Sequence, residues 1–290
     1  MMLTGVYVPL VTPFDADGAV DFGALAALAE EVLDAGASGI VALGTTGEPA
    51  SLSADEQQGI VDVLAKVCGE REAPLLVGAS SHQALDMLCN RPEVTAALCP
   101  VPSFVRPGEA GVIAYFAALA AASPVPLVAY HIPYRTGQQL SADSLRQLAD
   151  IPGVIGIKYA VGGIDADTIA LLADPPGDFA VLCGDDLFIS PLLALGAQGG
   201  ILASAQFATA RFAELVDAWQ AGDAVRGREL GRRLAPMSSA IFAEPNPTVL
   251  KAVLHARGSI PSAAVRLPLL PASSKATQAA LEQVALLAEA

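Results

Sequence analysis

The chain has 290 residues, 53% of them apolar and 16% charged, which is ample for a large core and rules out a disordered chain. A formal net charge of −14 argues against nucleic acid and anionic membrane surfaces as partners, but leaves room for a small anion held by local arginines. No apolar run reaches the roughly 18 residues of a bilayer span.

The start, Met1-Met-Leu-Thr-Gly-Val, lacks the basic residues and cleavage site of a signal peptide. Cys68, Cys89, Cys99 and Cys183 are scattered, with no histidines at metal-ligand spacing. A reducing, cytoplasmic setting without a bound metal or cofactor is the expectation.

Gly5–Thr12 reads as a buried strand, closed by Pro13 and the turn signal Asp15-Ala-Asp-Gly18. Phe22 to Ala35 carries apolar residues at helical spacing, with Gly36 as its stop. Gly39–Leu43 is a second strand, followed by Gly44-Thr-Thr-Gly-Glu48. Ser53-x-x-Glu56 forms a capping box for a helix to about Cys68. Pro74–Gly78 is a third strand, with a short helix from Gln83 to Cys89. Strands at Val94–Cys99, Pro126–His131, Val154–Lys158, Phe179–Cys183 and Gly199–Leu202 follow. Helices at Glu109–Ala122, Ser141–Ala149, Asp165–Leu172 and Leu187–Leu195 separate them. From about Arg211 the chain is mostly helical.

Eight short apolar strands alternating with helices indicate parallel β/α units, and eight is the number that closes a (β/α)8 TIM barrel. An open doubly wound sheet would need a glycine-rich phosphate loop after its first strand, where this chain has Thr12-Pro-Phe-Asp. The expected division is a barrel over residues 1–222 and an appended C-terminal helical segment over 223–290.

In such barrels chemistry sits at the C-terminal ends of the strands. There the chain places Thr12, Thr45, Thr46, Tyr130, His131, Arg135, Lys158, Gly184, Asp185 and Asp186. The chain has four lysines. Lys66, Lys251 and Lys275 lie in polar or helical contexts where a solvated ammonium is expected. Lys158 alone follows an apolar strand run, where burial would lower its pKa and make it a nucleophile for carbonyl compounds; a strand-end lysine that snorkels to solvent is the plain alternative.

The other residues have alternatives too. Gly44-Thr-Thr-Gly47 is either a tight turn or a cradle of donors for a carboxylate. Tyr130 is either a satisfied core aromatic or an acid–base partner of the lysine. Arg135 is either a solvated turn residue or a clamp on a second carboxylate. Asp185 and Asp186 lack a third metal ligand, so helix N-capping is expected of them. His82 and His131 receive no role.

Gly44-Thr-Thr-Gly-Glu48, Tyr130-x-x-Pro-x-Arg-Thr-Gly137, Gly156-Ile-Lys158, Gly184-Asp-Asp186, Glu244-Pro-Asn-Pro247 and Arg266-Leu-Pro-Leu269 together resemble the dihydrodipicolinate synthase / N-acetylneuraminate lyase family. The resemblance spans essentially the whole chain. It implies a barrel with C-terminal helices, a homo-oligomer (tetramer or dimer), and Schiff-base chemistry on pyruvate or another 2-oxo acid. By the same resemblance Lys158 forms the imine, Thr45 and Thr46 hold the carboxylate, Thr46 passes protons to Tyr130, and Gly184 and Ile201 line the substrate site. Arg135 resembles the arginine that binds the carboxylate of aspartate semialdehyde, which favours the synthase branch, lysine biosynthesis included.

The chain also departs from the pattern. Phe104 stands where the synthases carry a relay tyrosine from a neighbouring subunit, and Tyr159 follows the lysine where they usually carry glutamate. The segment Gly78–Phe104 is shortened at a region that normally serves the subunit interface. Positions matching a feedback lysine site are Pro49, Ala54, Gln57, His82, Asp86 and Ser103, a set unlike an intact site. A 2-keto-3-deoxy sugar-acid or hydroxy-oxo-acid aldolase or dehydratase is therefore the second reading, and a catalytically impaired binding protein a third, of another class.

Overall fold

The computed structural model describes residues 2–288. Strands β1 (Gly5–Pro9), β2 (Gly39–Ala42), β3 (Leu75–Gly78), β4 (Val94–Pro100), β5 (Leu127–His131), β6 (Val154–Tyr159), β7 (Ala180–Cys183) and β8 (Gly199–Ile201) pair in sequence order. All pairings are parallel, and β8 returns to β1, so the sheet closes into a barrel. Helices α1 (Phe22–Asp34), α2 (Ala54–Glu70), α3 (His82–Asp86), α4 (Gly108–Ala122), α5 (Pro133–Thr136), α6 (Ala142–Ala149), α7 (Ala166–Ala173) and α8 (Ile189–Ala194) lie between the strands. After β8 come α9 (Ala205–Gln220), α10 (Ala224–Ile241), α11 (Thr248–Ala256) and α12 (Ser274–Ala288).

Because the strands are covered on both sides, they need apolar residues at every position, and all residues of β2, β5 and β7 are buried. The pleat divides them into two cores. Tyr7, Val41, Leu76, Leu98, Val128, Tyr130, Leu182 and Ile201 fill the lumen. The alternate residues, among them Leu127, Ala129, Ile157, Tyr159 and Val181, face the helices.

Local signals behave as expected at the helix starts. Asp21, Ser53, Ser141 and Asp165 cap α1, α2, α6 and α7, and the Ser53/Glu56 box is formed. Several boundaries differ. β1 ends at Pro9 rather than Thr12, and α3 stops at Asp86 rather than Cys89. α9 starts at Ala205, before Arg211, and packs against β1 and α10. An extra short helix, α5, carries Arg135.

Candidate active site

The site is built from the pleat. On β5 and β6, Tyr130 and Lys158 are direct cross-strand partners, and period-2 alternation points both side chains into the lumen. The Lys158 Nζ lies 4.6 Å from the centre of the Tyr130 ring. Both residues are buried, at 8% and 9% exposure. Gly184, just past β7, makes room for the lysine: a Cβ there would stand 2.8 Å from the Lys158 Cγ and 3.0 Å from its Cε.

Burial lowers the Lys158 pKa from 10.5 to about 8, against the opposing pull of Asp186 and Asp185; Arg135 adds to the lowering. Burial likewise pushes the Tyr130 phenol up, while Arg135 and the Thr45 side chain act the other way. An amine close to neutrality beside a phenol that keeps its proton is a pairing suited to attacking a carbonyl and protonating the departing oxygen.

Thr45–Gly47 form a single 3₁₀ turn after β2. Its two hydroxyls separate. Thr45 is exposed, whereas Thr46 is buried and its Oγ1 accepts from the Asn246 Nδ2 at 3.0 Å. The Thr46 hydroxyl thus meets Asn246, while the Thr45 side chain acts to lower the Tyr130 pKa against burial. Thr12 holds the turn from outside the sheet, its Oγ1 donating to the Gly47 carbonyl at 2.7 Å.

The next residue of the turn, Glu48, was not expected to matter. It sits in the left-handed region (φ 56°), buried, with Oε1 accepting from the Lys251 Nζ at 2.7 Å and Oε2 from the Arg266 N–H at 2.9 Å. Lys251, on α11, is fully buried over the Phe14 ring (3.9 Å), which corrects the expectation of a solvated ammonium. Burial lowers its pKa and Glu48 opposes that. The Arg266 guanidinium stacks on the same ring and pairs with Glu56, Ser51 and Gly18. None of these long-range partners is visible in local sequence.

Asp185 and Asp186 do not cap a helix. The Asp185 Oδ1 accepts from the Tyr134 hydroxyl at 3.0 Å and its Oδ2 from the Gly162 N–H at 2.7 Å. Asp186 is buried, accepts from the backbone and hydroxyl of Ser204, and has its pKa raised by burial to about 6. Among the described residues no group of three or more His, Cys, Asp or Glu is placed to hold a metal ion.

A cavity of about 510 Å³ is lined by Tyr134, Arg135, Asp185, Asp186, Ser238 and Asn246 among others. Lys158 and Tyr130 are not in its walls, but Asp186, whose charge acts on both, is. Arg135 is exposed at its edge. Ile201 is buried in the lumen on β8.

Tyr159 faces away from all of this. Its ring packs in the outer core and its hydroxyl pairs with Thr168 at 3.0 Å, so the departure after the lysine does not touch the site. Phe104 is 96% exposed, with its backbone in the left-handed region. Gln57 spends its amide on the carbonyls of Pro49 and Leu52.

Comparison with known proteins gives a consistent picture. Residues 2–286 match the Dihydrodipicolinate synthetase family. The chain is 34% identical over 278 residues to 4-hydroxy-tetrahydrodipicolinate synthase 2 of Clostridium acetobutylicum, covering 94% of this chain and 96% of that one. It superposes with a TM-score of 0.90 on the chloride-inhibited dihydrodipicolinate synthase of Acinetobacter baumannii complexed with pyruvate, at 31% identity, covering 98% of this chain and 99% of the other. A monomeric dihydrodipicolinate synthase variant gives a TM-score of 0.93 at 28% identity, covering 99% of this chain and 97% of the other.

Proposed function

The chain belongs to the dihydrodipicolinate synthetase family, and on that premise we propose that it condenses pyruvate with aspartate semialdehyde through an imine on Lys158, as a 4-hydroxy-tetrahydrodipicolinate synthase. The observation that carries the reading is the Tyr130–Lys158 cross-strand pair, with a lysine brought to about 8 by burial. Relative to 10.5, that value raises the neutral fraction at neutral pH by about 300-fold.

In the proposed sequence the neutral Lys158 amine adds to C2 of the 2-oxo acid. The former carbonyl oxygen leaves as water, taking a proton delivered by Tyr130. Loss of a C3 proton from the imine gives the enamine that attacks the aldehyde carbon, whose oxygen takes up a proton. Thr46 holds the 2-oxo acid carboxylate, and Arg135 at the cavity edge receives the carboxylate of the co-substrate. Gly184 keeps the lysine path clear.

Borohydride reduction in the presence of pyruvate, followed by peptide mass spectrometry, tests the reading: a reduced adduct on Lys158 is expected, and its absence would refute it. No adduct and no rise in melting temperature with pyruvate is the result a non-catalytic binding protein would give.

One observation favours a second substrate reading. Phe104 supplies no hydroxyl to a relay, which admits a 2-keto-3-deoxy sugar acid or hydroxy-oxo acid in place of the synthase reaction. Turnover of aspartate semialdehyde against a panel of such acids separates the two. A homo-oligomer is part of the proposal, since Phe104 and Val105 expose apolar side chains to solvent in the isolated chain; sedimentation gives the state directly. Among the described residues no helix is long and apolar enough to cross a membrane.

A further inference from the structure

We propose that Asn246 is a positioning residue that sets the direction of the Thr46 hydroxyl, and through it the grip on the 2-oxo acid carboxylate; the inference rests on the reading of the site just given. An amide nitrogen can only donate. With the Asn246 Nδ2 at 3.0 Å, the Thr46 oxygen must accept, and its single proton is directed away from Asn246. A threonine whose proton is committed elsewhere cannot donate to an anion. Here the proton is left free, which is the state a carboxylate requires.

The price in stability is visible in the same side chain. Among the described residues the buried Asn246 Oδ1 finds no hydrogen-bond partner. Such exceptions are uncommon, and leaving a buried acceptor unpaired costs free energy that an apolar residue would not. The fold nevertheless keeps an amide here, oriented with its donor on Thr46.

The surroundings hold that amide in place from both sides. Two residues before it, Glu244 accepts from the backbone and hydroxyl of Ser273. Five residues after it, Lys251 is locked to Glu48, itself two residues beyond Thr46. Asn246 and Thr46 are thus facing points of one bracket, fixed by a buried ion pair, and Asn246 also lines the cavity.

The test is a pair of variants and a double-variant cycle, read by borohydride trapping on Lys158 at graded pyruvate concentrations. Asn246→Asp keeps the shape but replaces the donor by an acceptor, so Thr46 turns its proton toward it; half-saturating pyruvate should rise by about tenfold or more. Asn246→Ala removes the donor without adding charge and should raise it less. Adding either change to Thr46→Val should cost little beyond Thr46→Val alone.

The proposal is overturned if both single variants stay within about twofold of the parent, or if the Asn246→Ala and Thr46→Val penalties add in full. Failure of the unmodified protein to trap pyruvate at all would instead refute the imine itself. A purely structural role would lower the melting temperature without coupling to Thr46.

Discussion

Replacing Lys251 by methionine removes the positive half of a buried pair while keeping most of its volume. Glu48 and Lys251 expose 2% and 0% of their side chains and meet at 2.7 Å. After the change the Glu48 Oε1 has no partner, and only the Arg266 N–H remains on Oε2. An uncompensated buried charge of this kind costs about 3–5 kcal/mol. Urea unfolding, followed by far-UV circular dichroism at neutral pH, should show a lower midpoint with an unchanged slope. Glu48→Gln added to Lys251→Met removes the orphaned charge and should restore most of the loss, because a paired burial and an apolar one of equal volume differ little. A loss below about 1 kcal/mol in the single variant, or a double variant no better than the single, would mean that the buried pair does not hold the turn. Because Glu48 anchors the threonine turn, the single variant should also need more pyruvate to trap half of Lys158.

Tyr130→Phe should leave pyruvate able to enter but slow imine formation by about 10²–10⁴-fold in rapid-quench trapping; a change below threefold would remove Tyr130 from the acid–base role. The rate of imine formation should rise with pH through a midpoint near 8, the Lys158 value, rather than near 10.5. His131 is fully buried, both ring nitrogens without a hydrogen-bond partner among the described residues, and burial lowers its pKa to about 4, with Asp165, Asp167 and Glu109 pulling the other way. Between pH 6.5 and about 4 the unfolded chain therefore holds a proton that the native one does not. Stability should fall across that window as pH drops, by about 3 kcal/mol from this residue, and His131→Leu should flatten the loss in pH-dependent urea titrations. Free lysine should show no saturable binding by calorimetry, since Gln57 is committed to backbone carbonyls and His82 lies edge-on to Tyr115; a clear isotherm would contradict this.

The barrel was legible because doubly covered parallel strands must be apolar throughout, and a lone ammonium in such a run is conspicuous. Lys158 and Tyr130 could be found that way. Lys251 could not: on α11 it sits where an exposed lysine would be ordinary, and its burial depends on Glu48, 203 positions away. The aspartates failed for a related reason. A carboxylate before a helical stretch usually caps it, but here Tyr134 and Ser204 claim both. Tyr159 drew attention through its neighbour, yet strand alternation alone turns it outward. That Thr46 rather than Thr45 meets Asn246 depends on the turn's exact path, which composition does not encode.

The contacts that fix the threonine turn link residues about two hundred positions apart: Thr46 with Asn246, Glu48 with Lys251, Glu56 with Arg266. A ribosome therefore releases the nucleophile and all eight strands well before it makes the three side chains that steady the substrate grip. The register of Lys158 with Tyr130 is set within β5 and β6, whereas the tethering of the turn depends on side chains that follow α10. The grip on the substrate is thus completed by residues 246–266, far along the chain from the turn they steady.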